Sequence, residues 1–287
     1  MNRRKAVVIT GASTGIGEAC ALYLDKLGFH IFAGVRRQAD GEALQRKASE
    51  RLTPIFVDVA KQASIESAFQ QVSGDVGSNG IVGLVNNAGI AVGGPLEFLP
   101  LEELRKLLEI NVIGQLAVTQ AFLPLLRLGR GRVINMSSIS GRVAMPFLGP
   151  YASSKFALEA LTDSLRLELK PWGIDVVSIQ PGAIATPIWE KSLAKAEQIS
   201  NNLPAKAHNL YGERLAAIKE SVKETAKHGV PAEEVARVVA QALVARRPKI
   251  RYLVGNDAKM GAFLVKILPD RWRDWVIVQA SKRQGVV

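Results

Sequence analysis

Residues 5–27 read KAVVITGASTGIGEACALYLDKL, and this stretch decides the fold. Residues 5–10 are a short, β-branched apolar run, the composition of a strand buried on both faces. Residues 15–27 carry apolar positions at helical spacing. Between them stand Gly11, Gly15 and Gly17. A strand that runs through a glycine loop into a helix is the opening unit of a parallel α/β sheet.

The same alternation continues outward from this unit. Strands are expected at 30–35, 55–57, 81–85, 132–136, 174–179 and 250–254. Helices are expected at 41–51, 65–72, 101–128, from Tyr151 onward, and at 231–245. The last has Pro231 near its start and Glu233 and Glu234 in its first turn. Asn111 falls inside the 101–128 helix, where asparagine is a poor helix former. It either bonds a backbone group and bends the helix or faces the site. The predicted architecture is α/β: one doubly wound parallel sheet of about seven strands, with helices on both faces and right-handed crossovers. Residues 188–229 depart from the pattern. They read as two Lys-, Glu- and Ala-rich helices broken at 202–204, a helical insertion at the mouth of the site and a candidate lid. The expected division is 1–255 for the sheet domain with its lid and 256–287 for a basic, aromatic extension.

Composition narrows the function classes. The chain has 287 residues, 48% of them hydrophobic, enough for one large core. The single cysteine, Cys20, lies on the apolar stripe with Ile16, Ala19, Leu24 and Leu27 and reads as core. One cysteine forms no internal disulfide, which fits a reducing, cytoplasmic setting. His30, His208 and His228 are scattered without ligand spacing, so no metal is expected. The N-terminal apolar run is too short for a signal peptide, and no run is expected to reach the roughly eighteen apolar residues of a membrane span. The formal net charge is +11, and residues 246–287 hold ten Lys/Arg against three Asp. No nucleic-acid motif accompanies this charge. An anionic cofactor, a peripheral contact of the tail with an anionic membrane, or a merely solvated tail remain as readings.

The loop glycines allow a phosphate group to approach the backbone at a helix N-terminus, which predicts a dinucleotide site. The strand at 30–35 ends on Val35 where an NAD site wants an acid, and Arg36 and Arg37 follow. That favours NADP(H); nearby Asp40 keeps NAD(H) open. Further along, residues 138–155 read SISGRVAMPFLGPYASSK. Tyr151 and Lys155 are four apart and share a helix face. Ser138 sits at a strand end, where open parallel sheets hold ligands. A hydroxyl, a phenol and an ammonium that converge make a proton-transfer site. A free tyrosine has a pKa near 10. Work near neutral pH asks for a drop of roughly two to three pH units, which a nearby ammonium can largely supply. The apolar loop with Met145 and Phe147, together with Trp189, suggests a lipophilic substrate.

TGASTGIG at 10–17, NNAG at 86–89, Asn111, Ser138 in NMSS, YASSK at 151–155 and PGAIATP at 181–187 together resemble the short-chain dehydrogenase/reductase family. The resemblance is strong over 5 to about 187 and loose beyond. It is nearest to the branch of hydroxysteroid, retinol and 3-hydroxybutyrate dehydrogenases. It implies a Rossmann fold and an oxidoreductase interconverting a primary or secondary alcohol and its carbonyl. By resemblance, Tyr151 would be the general acid/base and Lys155 would lower its pKa and hold the nicotinamide ribose. Ser138 would bond the substrate oxygen, and Asn111 would hold a water of a proton relay. Gly11, Ser13, Thr14, Gly15, Ile16 and Gly17 would bind the pyrophosphate region. Asp58 and Val59 would flank the adenine, Asn86 would lie beside the adenosine ribose, and Ile184 and Thr186 would hold the carboxamide. A homodimer or tetramer built partly on the helices near Leu101 and Tyr151 is also implied. Two other functions stand beside this one: a reductase of small or carrier-bound 3-oxoacyl compounds, and a cofactor-binding sensor or scaffold without turnover.

Overall fold

The computed structural model describes residues 5–283 and 285–286. Residues 1–4, and positions 284 and 287 of the C-terminal extension, lie outside the described residues. Seven of the described strands form one parallel sheet. They are β1 (Ala6–Ile9), β2 (His30–Val35), β3 (Leu52–Phe56), β4 (Gly83–Asn86), β5 (Arg132–Met136), β6 (Asp175–Pro181) and β9 (Arg251–Val254). Their order across the sheet is β3-β2-β1-β4-β5-β6-β9. The order reverses direction at β1, so β1 and its neighbour β4 flank the switch point where such sheets bind ligands.

Each face of the sheet is covered. On one side α1 (Gly15–Lys26) and α9 (Ala232–Val244) pack on each other and on the strands through Cys20, Ala21, Leu24, Val235, Ala236 and Val239. The Cys20 thiol is buried there, and burial pushes it up to about 12. On the other side α3 (Gln62–Val76) and α5 (Gly114–Gly129) bury Ile65, Val72, Val118, Phe122 and Leu126. Each such side chain withdrawn from water contributes about 1.5–3 kcal/mol.

Several boundaries differ from the sequence reading. The helix expected at 41–51 is α2 (Gln38–Gln45), starting at the end of β2. β3 begins at Leu52 and includes Pro54, which lacks a ladder N–H but is tolerated because β3 is an edge strand. The single helix expected at 101–128 is α4 (Leu101–Leu108), one π-helical turn over Glu109–Ile113, and α5. Residues 101–129 are, by length and composition, apolar enough to cross a membrane, which corrects the expectation that no run is. Their apolar side packs on the sheet.

After α6 (Gly149–Glu168) and β6, the chain enters a two-residue strand, β7 (Ile184–Ala185), and then α7 (Ile188–Asn201) and α8 (Ala205–His228). It returns through β8 (Val230–Pro231), which pairs in parallel with β7. The break between the helices falls at 202–204, as the sequence suggests. The small ribbon was not anticipated. Gly229 makes it possible, since a Cβ there would stand 2.5 Å from the Ala185 nitrogen. Ile199 of α7 is buried with Val92, Leu99 and Leu107. The C-terminal extension, read only as basic and aromatic, folds into α10 (Asn256–Ile267) and α11 (Asp270–Arg283).

Candidate active site

The ends of β1 and β4 are bolted together at the switch point. The Thr10 hydroxyl accepts from the backbone N–H groups of Asn87 and Ala88, both at 3.0 Å. The Asn87 amide donates to the carbonyls of Thr10 and Gly11. Gly17 lies against that join: a Cβ there would run into the Gly11 carbonyl and the Asn87 side chain. Gly11 and Gly15 have φ of +66° and +63°, which glycine adopts without strain. Thr14, the residue before α1, makes no side-chain cap, so the first-turn N–H groups of α1 have no partner from it. Ser13 is half-buried and Thr14 exposed, while Ile16 turns toward the core. A Cβ on Gly15 would lie 3.2 Å from Thr186, so the glycine loop faces the PGAIATP segment directly.

The cofactor candidates from β2 onward are placed unequally. Val35 is buried and Arg36 is exposed. Arg37 is spent on Asp40, donating to its two carboxylate oxygens at 2.9 and 2.7 Å. That bond holds the Asp40 carboxyl below its usual value against the opposing effect of burial, and the charges of Lys191 and Arg36 act in the same direction. The Asp58 carboxylate accepts from Ala60 N–H. Val59 is buried, with its carbonyl against Gly114. The Asn86 side chain is buried and donates to Thr119 and Asn135, so any part it has at a ribose falls to its backbone. Its neighbour Asn87 reaches the glycine loop instead. Ile184 is buried in β7, and its carbonyl accepts from the Trp189 indole at 2.6 Å.

Ser138, Tyr151 and Lys155 converge beyond the end of β5. Ser138 follows the strand, accepts from Ser140 N–H at 3.1 Å and shares a hydrogen bond with Tyr151. Lys155, 4% exposed, donates to the Met136 carbonyl at 2.8 Å, and its Nζ lies 5.6 Å from the Tyr151 ring centre. Burial pushes the Tyr151 phenol up to about 12, while the Ser138 bond pulls the other way. Burial draws Lys155 down to about 8, opposed by the charge of Glu159. In the protein alone, the expectation of a depressed phenol pKa is thus reversed, because desolvation exceeds the pull of its neighbours.

Asn111 occupies the π turn and is fully buried. Its amide oxygen accepts from Ile90 N–H, and its nitrogen donates to the Ile90 carbonyl and to Ser154 Oγ, all at 2.9–3.1 Å. Asn111 thus bonds the Ile90 backbone, as one option from the sequence allows, and reaches Ser154 of α6 from the π turn. Ser154 donates onward to the Tyr151 carbonyl at 2.7 Å, so the π turn fixes the first turn of α6.

The substrate candidates lie at the rim. Phe147 is held at φ +64°, a region that bulky residues rarely enter. Its ring meets Tyr211 of α8 edge-on at 6.0 Å, and Tyr211 meets Phe98 likewise. Met145 and Trp189 are half-buried. On the opposite side α10 closes in: Asp257 accepts from Ala183 N–H at 2.6 Å, and a Cβ on Gly261 would lie 3.2 Å from Ile139.

The short chain dehydrogenase family profile matches residues 5–197. The chain belongs to the short-chain dehydrogenase family. As a short-chain dehydrogenase it is an oxidoreductase acting on a small substrate. It is 38% identical to an NADPH-dependent 3-dehydrocapnine reductase of Ornithobacterium rhinotracheale over 96% of this chain and 97% of that protein. It is 36% identical to mouse retinol dehydrogenase 5, over 94% and 87% respectively. Among solved structures, a short chain dehydrogenase from Burkholderia cenocepacia in complex with NADP superposes with a TM-score of 0.70 at 26% identity, covering 95% of this chain and 96% of that one.

Some residues of this short-chain dehydrogenase were not singled out from the sequence. Ser154, Asn87 and Thr10 sit inside the quoted motifs and were available. Glu159 lies one turn after Lys155 on the same helix face; it accepts from Ser178 Oγ and from Arg251, which also bonds Asp163. Tyr211 and Asp257 come from segments distant in sequence, and no local pattern points to them.

Proposed function

We propose that the protein is an NADP(H)-dependent oxidoreductase interconverting a lipophilic primary or secondary alcohol and its carbonyl. The observation that carries this reading is the convergence of Ser138, Tyr151 and Lys155 beyond the end of β5. The residues present fit a nicotinamide dinucleotide. The N-terminus of α1 has no side-chain cap, glycines line its approach, and Arg36 stands at the end of β2 with no acid at Val35. The relatives named for NADPH and for retinol, an apolar alcohol, support the same choice.

A bound nicotinamide supplies or accepts the hydride. The chain supplies the rest. In the reducing direction Ser138 Oγ donates a hydrogen bond to the carbonyl oxygen and stabilises the charge that develops there. The protonated Tyr151 phenol gives its proton to that oxygen, and the phenolate left behind is stabilised by the Lys155 ammonium. Asn111 positions the first turn of α6 through Ser154. Lys155, near about 8, is the group whose charge is lost first as pH rises, so reduction should slow above that value.

Residues 188–229 act as a lid on the sheet domain of 1–255, with Phe147 and Tyr211 forming its apolar contact. The extension 256–287 packs on the site through α10 and presents an apolar, basic outer face. Met260, Phe263 and Ile267 of α10 and Trp272 and Trp275 of α11 are exposed, with Lys259, Lys266 and Arg271 among them. That pattern suits peripheral contact with an anionic membrane from the cytoplasmic side, beside the cleft that an apolar substrate would enter. Exposed Ile113 and Phe156 on the α5 and α6 side suit a homo-oligomer. The test is NADPH consumption over a panel of steroid ketones, retinaldehyde, short ketones and acyl thioesters, with Tyr151→Phe as the blank. Tyr151-dependent turnover of an apolar ketone is expected; equal rates in the blank would overturn the assignment.

A further inference from the structure

Lys191 lies in the first turn of α7, the first helix of the insertion, and is exposed. Its Nζ stands 3.3 Å from the Thr14 hydroxyl in the glycine loop, across 177 residues of sequence. The helix it belongs to starts beside that loop, since the Pro187 ring would lie 3.8 Å from a Cβ on Gly15. Lys191 also acts electrostatically on Asp40, together with Arg36. Two elements therefore bring three cations to one corner: Arg36 and Arg37 after β2, and Lys191 from the insertion.

Nothing in helix stability explains this lysine. A cation in the first turn runs against the helix dipole, which favours anions there. A hydroxyl partner at the surface contributes little. What the corner has is an excess of positive charge. Arg37 is paired with Asp40 by two bonds. Arg36 and Lys191 both act on Asp40 but form no ion pair among the described residues, and Lys191 reaches Thr14. A phosphate dianion is the ligand that such a pair of cations suits, with arginine as a fork and lysine as a point charge.

We infer that Lys191 is a specificity-determining residue, a cation carried on the insertion that reads the 2′-phosphate of the cofactor and draws α7 down onto the glycine loop. The inference rests on the NADP(H) reading. It adds that cofactor choice is made partly by the lid, so that a dinucleotide carrying the phosphate closes the site and one lacking it leaves the lid looser.

The experiment is equilibrium binding of NADPH and of NADH, read by cofactor fluorescence, for the full chain and its Lys191→Ala, Lys191→Glu and Lys191→Arg variants. Lys191→Ala should weaken NADPH about tenfold, equivalent to about 1.4 kcal/mol, and leave NADH within about twofold. Lys191→Glu should weaken NADPH further, and Lys191→Arg should keep the preference. Limited proteolysis within 188–229 gives the second readout: NADPH should protect the wild type more than NADH does, and Lys191→Ala should erase that difference. Equal losses for both cofactors, or none, would overturn the inference. A wild-type chain that shows no NADPH preference would instead overturn the cofactor reading itself, whatever the variants do.

Discussion

The cluster beyond β5 and the insertion at 188–229 are built on opposite principles. The cluster is buried and its polar side chains are fixed by protein partners: Asn111 by Ile90 and Ser154, Lys155 by Met136, Glu159 by Ser178 and Arg251. In the insertion α7 buries Ile199, and α8, the longer helix, buries Ala207. Its polar contacts include surface ion pairs such as Lys219–Glu197, each contributing at most about 1 kcal/mol, beside Trp189 to the Ile184 carbonyl, Lys195 to Glu103 and Tyr211 to Glu97. The difference teaches where precision is needed. Proton transfer tolerates errors of a few tenths of an ångström at most, so its donors are locked in the interior. A segment held partly by exposed ion pairs opens more readily than a buried cluster, which is what the proposed lid role would need.

Four substitutions would break or sharpen that contrast. Tyr151→Phe is expected to lose about 10³-fold or more in kcat/KM while cofactor affinity stays within about twofold. A loss of cofactor binding as large as the loss of rate would mean that the cluster is a binding rather than a reacting site. Asn111→Leu should damage fold and activity together, because it leaves the Ile90 N–H and C=O unpaired in the interior. We expect about 2–4 kcal/mol lost in urea unfolding, along with most of the turnover. Gly229→Val attacks the other region, forcing a side chain against β7. Proteolysis inside 188–229 should quicken and substrate KM should rise several-fold, with the main unfolding transition little changed. If that transition falls as far as in Asn111→Leu, the insertion is not independent of the core.

The smallest effect is a gain. The folded value of Lys155, about 8, lies below its ordinary value, so the unfolded chain binds more protons between pH 8 and about 10.5. Stability from this group therefore rises with pH through that window, and the full cost of keeping the buried ammonium charged is present below pH 8. Lys155→Met removes that cost, about 3 kcal/mol, and loses the charge-assisted bond to the Met136 carbonyl, about 2. The variant should be more stable than the wild type by about 1 kcal/mol at pH 7, with the advantage shrinking toward pH 10 in paired denaturant titrations. A wild type more stable at pH 7 would show that Glu159 compensates the charge in full.

The sheet was legible because parallel strands buried on both faces read as short β-branched runs, and six of them alternate with helical stripes before the insertion. Asn111 was legible as an anomaly, but not as a π turn, since nothing local distinguishes a bulged helix from a bent one. Asn86 and Asn87 differ in partners for a geometric reason. Neighbours at a strand end point to opposite faces, so one residue of register decides which side chain meets the glycine loop. Arg37 reads from sequence as a free cation; only its rotamer reveals the bond to Asp40. The β7–β8 ribbon has two residues on each side, too few to carry a period. Lys191 could not have been found, because its meaning lies wholly in a contact with Thr14.

That ribbon has a consequence of its own. Ile184 pairs with Val230 in parallel register, so the chain leaves the sheet domain and rejoins it at the same place. Residues 186–229 thus leave and return through one closed clasp. Lengthening such a loop costs little in closure entropy. The segment can therefore change in length between fixed ends, provided that the residues seating it on the rest of the chain, Lys191, Ile199 and Tyr211 among them, are kept.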